Sequence, residues 1–500
     1  MRQILTADYD QELMFPPTME EWVGPEHPAR FIREFVALQD LRALGLDTLE
    51  REEGGVAYDP RLLLSAWLLG YLRRIRSTRG LEMACREEMG FVWLTGNHRP
   101  DHHALWRFWR THREAVGELH RQTVKLAIEM NLVGMAVQAV DGTKIAAAAS
   151  GRGGFDRAHL EKLLSGLDEA LAEYEKEIEQ AGNEGAVKLP DELRGRVELR
   201  EQLRAALARV KAGEIKHAHP LEPEAARMEC DGKNRFGYNA QAVVDAQAQV
   251  IVAADVTAEP GDHRQLLPMI AQAQAAAEPA DANPTFLADG GYANAAQLSG
   301  AQAAGYDVLT PLPSSWKDTS DPYHAAHFRH DPARNVVVCP EGRELPRQRV
   351  RIKNGRPVEV YRSAKVCKDC PVRAQCTSDR HGRTIDIQPG HEALVALQAR
   401  WQKQATAELY TLRAPTVEPV FAQIKQQMGF RRWSVRGLTN VKSQWAMLCT
   451  TWNLRVIFRH WKGRAETLGP KTPRPSGGPQ FGFGLTSLRP LSSAIQLFAP

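Results

Sequence analysis

Three carboxylic acids lie where their side chains could do chemistry. Asp141 follows the alternating apolar run from Met135 to Val140, and Asp289 follows a second short apolar run, so both acids are predicted at the C-terminal ends of strands. Glu418 lies further along, in the helical segment VEPVFAQIK. Three carboxylates at one point repel each other unless divalent cations lie between them. The three acids therefore predict a two-metal catalytic site.

The surroundings of Glu418 support this interpretation. Lys425 follows seven residues later, so a metal-binding acid and a phosphate-binding cation share one helix face. Pro415 and Pro419 predict that the helix begins near Thr416, because proline is tolerated in the first helical turn but not deeper. Taken alone, however, an Asp after a strand is often only a helix cap or a turn former.

A series of strands and helices must position these acids. The segments FGYNAQAVVDA and QVIVAADVTA predict a β-hairpin, in which Asp245 and Asp255 are assigned to turns and edges rather than to catalysis. A helix from His263 to Ala277, the strand before Asp289, a helix from Ala293 to Ala304 and the strand YDVLTPL follow. This order predicts the α/β class, with a mixed sheet and helices packed on it.

The first part of the chain, residues 1–131, has helical periodicity and is rich in arginine. Its segment RPDHHALWRFWRTHR follows a Gly-Asn turn at Gly96 and could form the second helix of a helix-turn-helix, whose basic face would grip DNA phosphates. An all-helical packing or dimerisation domain with a solvated arginine face explains the same pattern equally well. The residues alone leave both interpretations open.

A helical insertion is predicted within the catalytic domain, residues 132–464. Residues 156–219 carry leucine stripes at steps of three and four on either side of the turn AGNEGAVKLP. This pattern predicts an antiparallel helical hairpin with a solvated, charged surface.

A second insertion, residues 311–404, is cysteine-rich. It is broken by prolines and turns, and its cysteines are Cys339, Cys367, Cys370 and Cys376. Thiolates at this spacing suit a structural Zn²⁺ ion, which would staple a loop region without a core of its own. His381 could replace Cys339 as the fourth ligand, and free buried thiols are the alternative to a metal site.

Composition and charge narrow the functional class. Hydrophobic residues make up 43% and charged residues 25% of the chain, as in ordinary globular proteins. The longest apolar stretch, Leu62–Leu72, is about half as long as a bilayer span. The N-terminus has acidic residues where a secretory signal has its apolar core, so we expect a cytoplasmic protein without membrane contact.

The C-terminal part of the chain is strongly basic. From Leu409 to Arg464, ten Lys and Arg residues outnumber a single Glu, a local net charge of +9 that predicts a polyanion-binding surface. Residues 465–500 are rich in Pro, Gly and Ser without periodicity, which predicts a disordered tail.

Several segments together resemble one protein family. DGTKI at Asp141, ADGGYAN around Asp289 and RAPTVEPVFAQIKQQMGFRRWSVRG from Arg413 are similar to the DDE transposases of bacterial insertion sequences, in particular the IS1182 group of the IS4/IS5-like assemblage. The stretch YDPRLLLSAWLLGYLRRIRSTRGLEMACREEMGFVWLTGNHRPDHHALWRF resembles the helical domain at the start of those proteins. The resemblance spans about Pro25 to Trp461 and implies an RNase H-like catalytic core.

The resemblance also implies a mechanism and its cofactors. Asp141, Asp289 and Glu418 would hold two Mg²⁺ ions, for which Mn²⁺ is expected to substitute. One ion, between Asp141 and Asp289, would activate water or a terminal 3′-hydroxyl for in-line attack on a DNA phosphodiester. The other, between Asp141 and Glu418, would stabilise the departing 3′-oxygen.

The same resemblance implies the substrate and the assembly. The protein would cleave double-stranded DNA at the terminal repeats of its element and then join these ends to target DNA. A homodimer is expected in the synaptic complex, because two DNA ends must be processed together.

Basic and aromatic residues near Glu418 are assigned to DNA binding. The set comprises Tyr410, Arg413, Lys425, Arg431, Arg432, Trp433 and Arg436. The cations would grip phosphates, and Trp433 could stack on a splayed base or, alternatively, lie in the core. The family pattern has three residues between its Arg and its Glu, whereas four separate Arg413 from Glu418, which weakens the roles of Tyr410 and Arg413.

Two other functions fit the same residues. A metal-dependent nuclease would cut DNA without strand transfer, and a domesticated DNA-binding regulator would carry a silent core. A strand-transfer assay distinguishes the nuclease from the transposase. The substitution Asp289→Ala distinguishes the regulator, whose activity it would leave unchanged.

Overall fold

The computed structural model describes residues 18–46, 57–149, 155–180, 191–219, 221–277, 283–313, 316, 320–353 and 356–468. The chain divides into two compact units, one of Met1–Met130 with Met447–Pro500 and the other of Asn131–Ala446. The predicted turn at 181–190 and the predicted tail beyond residue 468 lie outside the described residues. None of the helices in the described ranges combines the length and the apolar character that a bilayer crossing requires.

Helices form the described part of the first unit. They are α1 (Pro28–Ala37), α2 (Pro60–Leu72), α3 (Thr78–Glu87), α4 (Met89–Leu94), α5 (His102–His112) and α6 (Ala115–Glu129). Local sequence explains where α2 begins, because the Asp59 side chain accepts a hydrogen bond from the Arg61 amide at 2.8 Å and Pro60 occupies the first turn.

The C-terminal helix, Leu438–Leu468, contributes to this unit from Met447 onward. The sequence assigns residues up to 464 to the catalytic domain. The structure instead groups the segment with the N-terminal helices, because Phe458 and Trp461 pack on Phe31 with ring centroids 5.3 Å and 5.8 Å away.

Two consecutive helices of the first unit, α4 and α5, are joined by a turn with positive φ at Gly96 and Asn97. Within α5, Trp109 is buried and packs on Trp67 at 4.9 Å, whereas Trp106 is 44% exposed. A helix in the predicted segment and a turn before it are therefore present, and their arrangement as a helix-turn-helix stays a prediction. DNA contact by this region stays a prediction.

The helical hairpin in the second unit consists of α7 (Arg157–Gln180) and α8 (Asp191–Lys211). Leu160 and Leu164, at the start of α7, form a buried cluster with Leu203 and Leu207, near the end of α8. The start of one helix thus meets the end of the other, as the predicted antiparallel arrangement requires.

The larger sheet of the second unit has six strands. They are β1 (Val137–Ala146), β2 (Ala226–Cys230), β3 (Lys233–Asp245), β4 (Ile251–Thr257), β5 (Thr285–Ala288) and β6 (Asp307–Leu309). The order is β2-β3-β1-β5-β6, with β4 also paired to β3. The β1–β5 and β5–β6 pairs are parallel and the others antiparallel, so the predicted mixed sheet is confirmed.

Two predicted features of this sheet are also confirmed. The strands β3 and β4 form the expected antiparallel hairpin. The helices α9 (Leu266–Ala277) and α10 (Ala295–Ala303) lie within the predicted helical segments. The turn role assigned to Asp245 agrees with its hydrogen bonds, because its carboxylate accepts from the amides of Gly134 and Met135 at 3.0 Å and 3.1 Å.

The first strand does not end at Asp141, contrary to the prediction. It continues to Ala146 as the antiparallel partner of β3, with Asp141 opposite Ala242. Its parallel pairing with β5, however, ends at Val140 opposite Ala288. Asp141 is therefore the first residue beyond the parallel ladder rather than the last residue of a strand.

A second sheet occupies the cysteine-rich region. Its strands are β7 (Arg329–Asp331), β8 (Val336–Val338), β9 (Glu344–Lys353), β10 (Arg356–Tyr361) and β11 (Ile385–Ile387), all antiparallel, and α11 (Ala364–Lys368) and α12 (Arg373–Cys376) connect β10 to β11. The prediction that this region has no core is wrong. A buried cluster lies under the sheet and consists of Phe328, Val337, Leu345, Tyr361, Ile385 and Ile387.

Three helices lead to Glu418: α13 (His391–Trp401), α14 (Gln404–Tyr410) and α15 (Arg413–Gln426). The helix α15 begins three residues before the predicted Thr416 and contains Pro419 in its interior. Proline has no amide hydrogen, so the carbonyl of Pro415 lacks its helical donor. The Gln249 side chain supplies one, since its Nε2 donates to that carbonyl at 2.9 Å.

Candidate active site

Two of the predicted acids lie side by side on the larger sheet. The strands β1 and β5 run parallel, and Val140 lies opposite Ala288 in their last pair. Asp141 and Asp289 are the next residues on each strand. Each carboxylate accepts a local amide hydrogen bond at 2.8 Å, Asp141 from Gly142 and Asp289 from Gly291.

The environment of Asp141 favours its neutral form. The pKa of this carboxyl is raised to about 6, mainly by burial and to a smaller extent by the nearby charge of Asp289. The Gly142 amide and the Arg413 guanidinium lower it, but by less. A buried carboxyl with a raised pKa beside a second acid is a candidate ligand for a cation, because a cation would favour its charged form.

Arg413 connects Asp141 to the third acid. Its Nη1 lies 3.1 Å from Asp141 Oδ2, and its Nη2 lies 3.0 Å from Glu418 Oε1. The guanidinium and Asp141 are 16% and 18% exposed, whereas the Glu418 side chain is 59% exposed. The extra residue between Arg413 and Glu418 does not separate them, because both lie on α15 and the guanidinium reaches the acid directly.

Tyr410, at the end of α14, supports the same strand end. Its hydroxyl donates to the carbonyl of Ala288, directly before Asp289, at 3.2 Å. Burial raises the pKa of Tyr410 despite the opposing effect of Arg413, so the hydroxyl remains a donor. Tyr410 thus forms a hydrogen bond with the end of β5, the strand that leads to Asp289.

The donor set fits a hard divalent cation, because carboxylate oxygens are the ligands that Mg²⁺ prefers. In the described ranges, however, no group of three or more His, Cys, Asp or Glu side chains is arranged to hold a metal ion. Arg413 lies between Asp141 and Glu418 and provides the positive charge there. A third oxygen ligand from α15 would therefore require Arg413 to move.

Two segments of the chain match models of known domain families. Residues 17–111 match a transposase domain (DUF772), and residues 338–458 match a transposase DDE domain. Each of these two segments is thus similar to a domain of transposases. This pair of domains is typical of the IS1182 family of transposases. No curated protein matched the chain.

The two matches cover different parts of the chain. The DUF772 match includes the helices from α1 to α5, and the DDE match includes the strands β9 to β11 of the smaller sheet, α15 and Glu418. Asp141 and Asp289 lie outside both matched segments. Their assignment to the site therefore depends on their positions beside each other and on the contact from Arg413.

Two of the predicted DNA-binding cations, Lys425 and Arg431, form ion pairs with one aspartate of the same chain. Lys425 Nζ lies 3.0 Å from Asp231 Oδ1, and Arg431 Nη1 lies 3.2 Å from Asp231 Oδ2. Asp231 lies in the turn between β2 and β3 and has a positive φ of 49°.

The other members of the predicted DNA-binding set differ in exposure. Arg436 is exposed, and Arg432 donates hydrogen bonds to the carbonyls of Ala147 and Ala148 at 3.1 Å and 2.6 Å. Trp433 is 2% exposed, and its indole nitrogen donates to the Ile145 carbonyl at 3.2 Å. A buried indole with a satisfied donor cannot stack on a base, so the stacking role predicted for Trp433 is wrong and its core alternative holds.

The four cysteines of the smaller sheet lie around one small cavity, which Cys339, Cys367, Cys370 and Cys376 line together. Burial raises the pKa of Cys376, Arg383 lowers it by less, and the other three thiols raise it. Gly382 lies against Cys367, since a Cβ atom there would be 2.9 Å from the sulfur. His381 is exposed and does not line the cavity, so Cys339 is the better candidate for a fourth ligand.

Sequence reasoning missed a buried polar group behind the acids, formed by Asn239, Gln241, Asp262 and Tyr292. One signal was available. Asn239 and Gln241 are amides two positions apart in an otherwise largely apolar strand, and such residues face the same side of a sheet. Their partner Asp262 lies in a loop, where aspartate is common and therefore does not indicate a functional site.

Proposed function

We propose that this DDE transposase, of the IS1182 group, cleaves DNA at the ends of an insertion sequence and transfers those ends into target DNA, with Mg²⁺ or Mn²⁺ as cofactor and an RNase H-like catalytic core. One observation carries the proposal. Asp141 and Asp289 lie beyond the last parallel pair of neighbouring strands, and a single guanidinium joins Asp141 to Glu418. The helix that carries the third acid thus reaches the sheet that carries the other two.

Each side chain has a distinct task in this proposal. Asp141, Asp289 and Glu418 would hold the cations, which when bound would supply Lewis-acid activation of water or a 3′-hydroxyl and stabilisation of the leaving oxygen. Arg413 releases the carboxylates and holds a phosphate of the scissile strand. Lys425 and Arg431, released from Asp231, hold a neighbouring phosphate. Arg432 and Arg436 add positive charge along the strand.

Three further assignments complete the proposal. The four cysteines bind one structural Zn²⁺ after small movements of the thiols, because four thiolates are one of the usual ligand sets of a closed tetrahedral zinc site. The N-terminal helices contact the terminal repeats, and two copies of the chain act together in the cytoplasm on the two ends of one element.

The test uses a donor plasmid that carries the gene with its native flanking DNA, a target plasmid and the purified protein with Mg²⁺. We expect nicks with 3′-hydroxyl ends at the element boundaries, followed by joining of those ends to the target. Products are mapped by sequencing, with Asp289→Asn as the inactive control. The same reaction without divalent cation should give no products.

Other outcomes identify the alternatives. Cleavage without joined products would favour a nuclease. Specific DNA binding without cleavage, unchanged by Asp289→Ala, would favour a regulator with a silent core. Either result would reject the proposed strand transfer.

A further inference from the structure

A buried chain of polar side chains lies behind Asp141 and Asp289. Asn239 and Gln241 on β3 are 0% and 1% exposed. Buried amides are costly unless their donors and acceptors find partners. Here the partner is Asp262, between β4 and α9, whose Oδ1 accepts from Asn239 Nδ2 at 2.7 Å and from Gln241 Nε2 at 2.8 Å.

The carboxylate of Asp262 determines how these amides are oriented. A carboxylate only accepts hydrogen bonds, so both amides must turn their NH₂ groups toward it. Gln241 Nε2 also donates to Asn239 Oδ1 at 3.0 Å, which leaves Gln241 Oε1 as an acceptor. The Tyr292 hydroxyl donates to that oxygen. Burial, and then the charges of Asp262, Asp141 and Asp289, raise the pKa of Tyr292, so its hydroxyl keeps the proton.

Tyr292 in turn holds the segment that follows Asp289. The short 3-10 turn Gly290–Tyr292 begins directly after this acid, and the Tyr292 amide donates to the Asp289 carbonyl at 3.2 Å. The Gly291 amide donates to Asp289 Oδ1 at 2.8 Å. A hydroxyl anchored on Gln241 therefore fixes the turn, and the turn fixes the carboxylate.

Asp262 lies close to two glycines near the acids, and one of them leaves the space that it occupies. A Cβ atom on Gly142, directly after Asp141, would be 2.9 Å from Asp262 Oδ1 and 2.3 Å from Gln241 Nε2. A Cβ atom on Gly291 would be 3.0 Å from Asp289 Oδ1 and 3.7 Å from Asp262 Oδ2. The close approach of Asp262 and Gln241 therefore requires a glycine at position 142, whereas at position 291 Asp262 is only at ordinary contact distance.

We propose that Asp262 is a positioning residue of the candidate active site, which holds Asp289 beside Asp141 through Gln241 and Tyr292. This inference rests on the proposed function, since it takes Asp289 to be a cation ligand. Asp262 acts on the orientation of that ligand. Residues that orient a metal ligand typically contribute about 10-fold to 100-fold to metal affinity or activity.

The test compares the full-length protein with its Asp262→Asn and Tyr292→Phe variants, singly and combined. Mn²⁺ binding without DNA is measured by electron paramagnetic resonance, and thermal unfolding is followed by circular dichroism. We expect each single variant to weaken Mn²⁺ binding about 10-fold. The double variant should be no worse than the weaker single variant, because both changes interrupt one chain.

A matched control removes the same charge elsewhere on the same sheet. Asp255→Asn lies on β4, where the carboxylate pairs with Lys442 at 2.8 Å rather than with the buried amides. This variant should bind Mn²⁺ as tightly as the wild type.

Two results would overturn the positioning role: wild-type Mn²⁺ affinity in a folded Asp262→Asn protein, or fully additive losses in the double variant. If Asp262→Asn does not fold, Tyr292→Phe decides alone, and unchanged affinity there rejects the role. Asp289→Asn separates this inference from the proposed function. Undiminished binding in Asp289→Asn rejects the cation site itself, whereas lost binding there with normal binding in Asp262→Asn rejects only the positioning role.

Discussion

The two sheets of the second unit hold their reactive side chains in different ways. In the six-stranded sheet, the polar residues around Asp141 and Asp289 already have hydrogen-bond partners, and the strands are deeply buried. The five-stranded sheet has strands of only three residues at both edges and a small core beside four thiols. Small sheets gain little stability from burial. A cation at the first sheet would therefore serve chemistry, whereas zinc at the second would serve stability.

The largest effect should come from Asp289→Asn. DNA cleavage is expected to fall by roughly 1,000-fold or more, because removing the charge removes a ligand that the proposed mechanism requires. Thermal stability should be unchanged or slightly higher, since a like charge near Asp141 is lost. Single-turnover cleavage of element-end DNA and circular dichroism measure the two effects.

A large loss of thermal stability in this variant would contradict the proposed difference between the two sheets, because the six-stranded sheet would then depend on Asp289 for folding. A matched change at Asp255, which pairs with Lys442 on the same sheet, controls for loss of charge. Its cleavage rate should equal that of the wild type.

The second effect should come from Cys370→Ser, which removes a thiol from the cavity of the smaller sheet. We expect zinc to be lost and amide exchange in β9 and β10 to accelerate on the order of 1,000-fold, equivalent to about 4 kcal/mol of local stability. The larger sheet should keep its protection. Metal analysis and hydrogen exchange with mass spectrometry provide the measurements.

Cys85→Ala serves as the control, because Cys85 is a buried thiol of the first unit that does not line the cavity. It should leave the zinc content unchanged. Normal exchange in β9 and β10 of the Cys370 variant would mean that the small core suffices without metal.

The third effect concerns pH and metal-free protein. With its pKa raised to about 6, folded Asp141 keeps a proton at pH values where the unfolded carboxyl, with a pKa near about 3.9, has lost it. The resulting stability is complete below about pH 4 and is lost as the pH rises to about 6. Relative to Asp141→Asn, the wild-type free energy of unfolding should fall by up to about 3 kcal/mol across this range.

Chemical denaturation of both proteins at several pH values measures this difference. A parallel pH dependence in wild type and variant would show that Asp141 is not the group responsible. A difference in the free energy of unfolding that grows with pH would instead show that the six-stranded sheet carries an unfavourable charge at Asp141.

The smallest effect should come from Arg413→Gln. The guanidinium competes with cations for Asp141 and Glu418, so its removal should tighten Mn²⁺ binding by about threefold to tenfold in the absence of DNA. Arg431→Gln, whose partner is Asp231, is the control and should have no effect. Weaker Mn²⁺ binding in Arg413→Gln would mean that the guanidinium holds Asp141 and Glu418 in place for the cation rather than competing with it. Isothermal titration calorimetry measures both variants.

Local periodicity was enough to predict much of the fold. The hairpin β3–β4, the end of β5 before Asp289 and the paired helices α7 and α8 follow from periods of two and of three to four residues. Such patterns depend on neighbours in sequence. The same patterns predict that Asp141 and Asp289 lie at one edge of the sheet, because parallel strands end at the same edge.

The errors arose where a distant residue overrides the local pattern. Gly142 resembles the end of a strand, yet it continues β1 because Gln241 and Asp262 occupy the space of a side chain. The early start of α15 depends on Gln249, which is 166 positions away from Pro415. The core of the smaller sheet was missed because strands as short as β7 show no periodicity.

The turn at Gln249 has a consequence for protein engineering. This residue has a positive φ of 59°, and the usual stabilising choice at such a position is glycine or asparagine. Either substitution would relieve the backbone strain of the turn. It would also remove the Gln249 side chain, whose amide donates to the Pro415 carbonyl. Consensus design at this position would thus stabilise the β3–β4 turn but leave the Pro415 carbonyl, in the helix that carries Glu418, without its hydrogen-bond donor.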